Sequence, residues 1–470
     1  MSATTELFHH DADAATADAP RRTFIRRALS GYEVKRGETA ATFTDWQAAR
    51  TAAGAAKYEA VNHLDRYLIE FEEKFTARGG KVFWASTAEQ ARDYVLRLAE
   101  EKSVHSIIKS KAMTSEEIHL NPALEAAGYE VVESDLGEFI QQLLNEPPYH
   151  FVFPCMHLQR DEISALFERK LGSEKTHSPE ELTMIARRFL RGQYVTADMG
   201  ISGANFIVAD QGMISITENE GNARLTTALP KIHVALVGIE KVLPKLTDLA
   251  LLLPMLATAG TGQHLTCYNS MYGGPRQPGE IDGPEEFHVV LLDNHRTRLL
   301  ADPEQRDALH CIRCGACLNV CPIFKNIGGH AYGTTYQGPI GSVITPHFRG
   351  LQDWKHLSGA SSLCGACTET CPVKIDIHHH LLHNRRNAAT EKPIWWERIL
   401  WGGFAWLMRR PQLYRWAIRA TPWAQHLHPL VKAGPLDPLR AWTATRDFPE
   451  AAPKSFRDLM KERKAGTDEW

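Results

Sequence analysis

The chain is poor in the features that would place it across a membrane or on a nucleic acid. Its longest apolar stretch, Leu249–Leu256, is interrupted by Pro254, far short of the roughly 20 apolar residues a spanning helix needs. The net charge is only −3 over 470 residues, so no basic excess points to nucleic acid and no acidic tail to disorder. Cysteine is scarce outside one window. Of nine, seven lie between Cys311 and Cys371, and an odd, bunched set is not a secreted disulfide framework. Thiolates that must stay reduced suit a reducing cytosol, so a cytoplasmic location is expected. Arg21-Arg22-Thr23-Phe24-Ile25 has the look of a twin-arginine export signal, but the apolar residues after it give way to Glu33, Lys35 and Arg36, and export is not expected. Gly200-x2-Gly203 is not the dinucleotide fingerprint and no P-loop occurs, so neither NAD nor ATP binding is supported.

What is present suits two or three packed units, with 43% hydrophobic and 23% charged residues. Residues 1–45, rich in Ala, Asp and His, read as a flexible leader. Between Trp46 and Arg78 the apolar positions Val61, Leu64, Leu68, Phe71 and Phe75 recur at helical spacing. The rhythm then changes. Val82–Trp84, His105–Lys109, Tyr129–Glu133 and His150–Pro154 read as strands, and 88–99 and 116–127 as helices, the latter closed by Gly128. Asn205–Ala209, Met213–Thr217, His233–Val237 and His288–Leu292 read as further strands of the same domain. Alternation of this kind predicts an α/β domain with a parallel sheet over 46–300. A cysteine module follows over 301–390, then a helical tail, 391–470, holding eight of the eleven tryptophans. Trp395, Trp396, Trp401, Trp406, Trp416 and Trp423 stand there among arginines, a pattern fitting core packing or a docking surface, with membrane contact ranked after both.

The chemistry lies in the cysteines. Cys311-x2-Cys314-x2-Cys317-x3-Cys321-Pro322 is the bacterial ferredoxin run, in which the fourth cysteine ligates the other cluster. The small residues Gly315 and Ala316 let backbone N–H groups approach the sulfides. Zinc commonly takes two separated ligand pairs, which this spacing does not provide. The second run, Cys364-x2-Cys367-x3-Cys371-Pro372, has Ser361 where its first cysteine would stand. By ferredoxin logic Cys311, Cys314, Cys317 and Cys371 hold one [4Fe–4S] cluster. Cys321, Cys364 and Cys367 then supply three ligands to another, either [3Fe–4S] or [4Fe–4S] with Ser361, a histidine or solvent at the fourth iron. Cys155 and Cys267 read as buried thiols, and His378, His379, His380 and His383 as histidines on exposed faces of a helix.

Two weaker signals concern a ligand. The polar stretch Thr217–Thr227 lies between apolar strands. Either it is a solvated turn, or it is an anion site in which Arg224 pairs a carboxylate, Thr226 and Thr227 donate hydrogen bonds and Glu220 stands by. Lys111 follows a predicted strand, where open α/β sheets often bind ligands.

Several blocks resemble the lactate-utilization protein B family of iron–sulfur proteins: Lys109–Thr114, Glu133–Glu138, Ala197–Gly203, Asn219–Asn222, Leu229–Lys231, Gly238–Lys241, Cys311–Pro322, Gly328–Gly333 and Cys364–Cys367. The resemblance implies a lactate-utilization (LUD) domain similar to sugar-phosphate isomerases and CoA transferases, then an all-α, two-cluster ferredoxin-like module. It further implies a part in oxidising L-lactate to pyruvate with two partners, a cysteine-rich-domain subunit and a second LUD-domain subunit. Two functions are therefore expected to compete: electron carriage within that complex, or a small-carboxylate oxidoreductase acting through its own pocket.

Overall fold

The computed structural model describes residues 2–428, 434, 437, 440–443, 446 and 449–466. It divides into two compact units, Met1–Ala388 and Ala389–Trp470.

The first unit carries ten strands: β1 Lys81–Ala85, β2 Ser106–Lys109, β3 Glu130–Glu133, β4 Met199–Gly203, β5 Phe206–Val208, β6 Met213–Glu218, β7 Ile232–Gly238, β8 Val242–Leu243, β9 Tyr268–Tyr272 and β10 Glu286–Leu292. Six of them form one parallel sheet in the order β1-β10-β7-β4-β2-β3. At its centre every residue of β7 is buried, as expected of a strand covered on both faces. Helices cross between the parallel strands, and the register sets Ile107 of β2 opposite Val131 of β3 and Met199 of β4. Ala85, Val95, Ile107, Val234 and Val290 share one core on this sheet.

Three sequence expectations need correction. The runs 205–209 and 213–217 do not join the parallel sheet. Gly212, at φ +57, lets the chain fold back after the short β5, and β5 and β6 pair antiparallel in a second sheet of order β8-β5-β6-β9. His150–Pro154 is a loop, because the His150 imidazole Nδ1 accepts the backbone N–H groups of Val152 and Phe153 at 2.9 and 3.3 Å and so holds the segment in a local turn. The expected helix 116–127 is two helices, Met113–Glu117 and Leu120–Ala126, broken at His119, whose φ is +53.

The expected leader is also ordered. It forms two helices, Ala3–Ala17 and Ala19–Ala40. Its few apolar residues are spaced for one face: Ile25 and Leu29, four apart, share a core with Leu252, Leu318 and Tyr332. Phe8 lies edge-on to Tyr332, and the Thr39 hydroxyl donates to the Gly262 carbonyl at 2.8 Å. Low overall hydrophobicity hid a narrow apolar stripe.

After β10 the regular elements among the described residues are all helices. The apolar stretch near Pro254 lies earlier, in the helix Leu246–Thr261 between β8 and β9, where Leu249, Leu252 and Met255 are buried. Among the described residues no helix is long and apolar enough to cross a membrane. In the second unit, Trp395–Met408 and Pro411–Leu427 are helices. Trp395, Trp396, Trp401, Trp406, Trp416 and Trp423 are each more than half exposed, so they are not core residues there. Trp470 lies outside the described residues.

Because Leu29 is fully buried, Leu29→Ala is expected to destabilise the protein by about 2–5 kcal/mol, read as a lowered urea midpoint. A solvated leader would leave the midpoint unmoved.

Candidate iron–sulfur centre and an adjoining cleft

The two cysteine runs fold as near copies of each other, fifty residues apart. Arg313 and Leu363 sit at φ +60 and +55, and Gly315 and Gly365 at φ +79 and +81. Each glycine opens a one-turn helix, Ala316–Val320 or Ala366–Thr370. The hydrogen bonds repeat as well: Leu318 N–H to Gly315 O at 2.9 Å, and Thr368 N–H to Gly365 O at 3.0 Å. Non-glycine residues in the left-handed region are uncommon and cost of order 1–3 kcal/mol in sparsely populated geometry. Their recurrence at equivalent positions marks a conformation imposed for a reason: it curls the loop so that its cysteines face inward.

The correspondence extends to the position where the residue type differs. The Arg313 N–H approaches Cys311 Sγ at 3.4 Å, and the Leu363 N–H donates to Ser361 Oγ at 3.1 Å. Ser361 therefore presents oxygen where the first loop presents sulfur.

The seven thiols fall into two sets. One cavity is lined by Cys311, Cys314, Cys317 and Cys371 together, bringing the last cysteine of the second run to the first. Cys321, Cys364 and Cys367 gather separately: burial raises the Cys367 thiol to about 12, with Cys321 and Cys364 adding to the rise. Burial likewise raises Cys371 to about 11, Cys311 contributing. Thiols so placed ionise only beside a cationic centre, and none is in a disulfide. Backbone N–H groups already point at sulfur, from Ile375 to Cys371 at 3.4 Å and from Phe324 to Cys321 at 3.5 Å. This donor set, all sulfur with amide support, fits iron–sulfur clusters. The sets differ in exposure. Cys311, Cys317 and Cys371 are buried, whereas Cys364 is exposed. A Cβ on Gly315 would lie 2.7 Å from Val152, while one on Gly365 would meet nothing within 4 Å. Cys155 is half-buried and Cys267 exposed, so neither is the buried thiol expected. Of the four histidines, His380 is buried and pairs with Asp307 at 2.8 Å.

A buried charge network fixes the first loop to the sheet. Glu240, just beyond β7, takes Arg296 and, at 3.2 Å, Arg313. Burial opposes its ionisation, but Arg296, Arg313 and Lys241 outweigh burial and hold the carboxyl down at about 2. Arg296 also pairs Glu117 at 2.8 Å, and the Tyr336 hydroxyl donates to Glu117 at 2.6 Å.

Beside this network a cleft of about 330 Å³ opens, with Lys111, Asp135, Glu220, Lys241, Arg313 and Cys314 in its walls. Lys111, Asp135 and Lys241 follow the C-terminal ends of β2, β3 and β7, where parallel sheets bind ligands. Of the five sequence candidates, Lys111 and Glu220 reach this cleft and three do not. Thr217–Thr227 is no simple loop, since Asn222–Ala228 is helical. That helix buries Thr226, whose hydroxyl lies 3.2 Å from that of Ser134, and Thr227, whose hydroxyl donates to Ala223 O at 2.8 Å. Arg224 turns outward over the Tyr268 ring. Besides Lys111, the cleft holds the cations Lys241 and Arg313, neither of which was among the sequence candidates. The available signal was a charged residue at 313 where the second loop has Leu363.

Fold and site define an iron–sulfur protein in which cysteine loops are set against a parallel α/β domain. Three families match successive stretches: LUD domain over residues 68–292, 4Fe-4S dicluster domain over 307–375, and lactate utilisation protein B, C-terminal, over 379–465. The lactate utilization protein B of Shouchella clausii (strain KSM-K16) is 43% identical over 450 residues, covering 94% of each chain. Lactate utilization protein B 1 of Bacillus mycoides (strain KBAB4) is 41% identical over 476 residues, covering 100% of this chain and 98% of its own. The chain belongs to the lactate utilization protein B family, with an iron–sulfur cofactor and a role in lactate utilization.

Arg296→Met leaves Glu117 and Glu240 buried without their shared cation. Breaking a buried pair from one side is expected to cost about 3–5 kcal/mol, measured by chemical unfolding. A loss below about 1 kcal/mol would show that the network is not what holds the loop.

Proposed function

We propose that the chain is the iron–sulfur electron-transfer subunit of a complex that oxidises L-lactate to pyruvate, and that it holds two clusters. The observation carrying this reading is the repeated cysteine loop, with one thiol set enclosed and the other reaching the surface at Cys364. Cubane clusters, when bound, accept and pass single electrons, whereas lactate oxidation releases a pair. No flavin or nicotinamide signature occurs in the sequence, so pair splitting falls to a partner. The partners are a cysteine-rich-domain subunit and a second LUD-domain subunit, and the exposed tryptophans and arginines of 395–423 are a surface for docking one of them. The complex works in the cytoplasm, where its thiolates stay reduced.

In this reading Cys311, Cys314, Cys317 and Cys371 hold a [4Fe–4S] cluster, and Cys321, Cys364 and Cys367 hold the second with Ser361 at its fourth iron. Support for Ser361 comes from its hydrogen bond to Leu363 N–H, the counterpart of the Cys311 contact.

Anaerobically purified chain is expected to carry about seven to eight irons and to bleach with dithionite but not with lactate alone. Cys371→Ala should disturb the EPR signal of the cluster held by Cys311, Cys314 and Cys317. Bleaching by lactate without partners would replace electron carriage with catalysis by this chain, and zinc as the dominant metal would end the iron–sulfur assignment. An oxygen ligand binds iron more weakly than thiolate, so the second cluster should be the first to decay in air, giving a three-iron EPR signal. Ser361→Cys should suppress that signal. An unchanged decay in the variant would remove Ser361 from the site.

A further inference from the structure

We propose that the cleft beside Cys314 is a binding site for a small, singly charged carboxylate, recognised by Arg313 and Lys241. The first support is the direction of Arg313. Its neighbours Ile312 and Cys314 line the cavity of the first thiol set, but Arg313 does not; it lines the cleft. The positive φ of +60 is what turns this side chain out of the cysteine loop. The Arg313 side chain is only 7% exposed, and its guanidinium lies 4.5 Å over the Tyr336 ring. One nitrogen reaches Glu240, while Nε and NH1 have no partner. Buried donors left unpaired are rare and costly, and two on one side chain in a ligand-sized cleft point to an acceptor supplied from outside.

The second support comes from the internal repeat. Leu363 occupies the position of Arg313 in the other loop with nearly the same backbone, φ +55. An uncharged residue therefore satisfies the cysteine loop, and the charge at 313 serves something other than loop geometry. Glu240 does not use it up, because Glu240 is also held by Arg296.

The rest of the cleft selects the ligand. Lys111 and Lys241 add positive charge, while Asp135, Glu218 and Glu220 line the same space. A multiply charged phosphate would meet those acids, whereas a carboxylate brings one charge and can turn a neutral, hydrogen-bonding end toward them. Since Cys314 lines both the cleft and the thiol cavity, an anion here opposes added negative charge on the first cluster, and reduction in turn weakens binding.

The test uses anaerobically purified, iron-loaded chain with oxamate, a carboxylate that cannot be oxidised as a hydroxy acid can, and with inorganic phosphate as its rival. Calorimetry should show saturable one-to-one oxamate binding, with phosphate at least tenfold weaker. Arg313→Gln should lose at least tenfold in oxamate affinity. Arg224→Gln, outside the cleft, should lose none. Should Arg313→Gln lose its iron, Lys241→Gln with iron retained carries the same expectation. The proposal is overturned by absent oxamate binding, by tighter binding of phosphate, or by full affinity in an iron-loaded cleft variant. The redox arm rests on the electron-carriage reading: oxamate binding tenfold tighter to oxidised than to reduced protein lowers the first cluster's potential by about 59 mV. Binding without that shift would refute the coupling to the cluster and leave the ligand site standing.

Discussion

The arrangement of this protein turns on one buried carboxylate. Glu240 leaves the central strand β7 and is almost fully enclosed. Its side chain gathers Arg296, which follows β10, and Arg313 from the first cysteine loop. Its backbone carbonyl accepts from Lys57 Nζ at 2.5 Å, drawing in the helix Trp46–Asn62. Sheet, amino-terminal helix and cysteine loop thus meet on one residue. A carboxylate in such a place persists only because its cations outweigh its desolvation, so the parts cannot separate without stranding charge. Tyr336 and Glu117 extend the lock into the helical segment beyond the first cysteine run. Glu240 engages one nitrogen of Arg313 and leaves its Nε and NH1 without a protein partner, on a side chain that lines the cleft.

The repeat of the cysteine loops shows how one backbone device serves two environments. The first copy is pressed against the loop at Val152, where Gly315 leaves no room for a side chain, and it is enclosed. The second copy, with Gly365 in open space and Cys364 at the surface, is accessible. For the electron carriage we propose, this contrast would give an inner centre beside the cleft and an outer one facing solvent. The backbone of the loop does not depend on the charge at this position, since Arg313 and Leu363 adopt nearly the same φ, although docking of the first loop on the sheet uses Arg313. The copies differ in residue type at 311/361 and 313/363, while their backbones match.

Much of this was legible in the chain itself, for identifiable reasons. Spacing alone grouped the cysteines, because three thiolates two residues apart can close on one centre only if the chain curls tightly. The strands of the parallel sheet were legible wherever a short apolar run lay between helical periods, as at Ile107–Ile108 and Val289–Leu292. Legibility failed where a side chain overrode the local pattern: His150 capturing two backbone amides in an apolar run, or His119 breaking a helix. It failed too where few apolar residues did all the packing, as with Phe8, Ile25 and Leu29 in a segment whose composition resembles a solvated leader.

For the ligand site the division is sharper. The sequence by itself determined which residue types were available and that the polar segment 217–227 was unusual, and it put Lys111 and Glu220 among the candidates. It could not show that Thr226 and Thr227 turn into the interior on a short helix, or that Arg224 turns out over Tyr268. Nor could it show that Arg313 and Lys241, over seventy residues apart in the chain, share the cleft. Side-chain direction depends on backbone dihedrals and on neighbours distant in sequence. The identity of the chemistry was therefore fixed by residue type and spacing, which are local, while the place of the cleft beside the first cysteine loop was decided by tertiary packing, which brings a strand end and that loop to the same buried carboxylate.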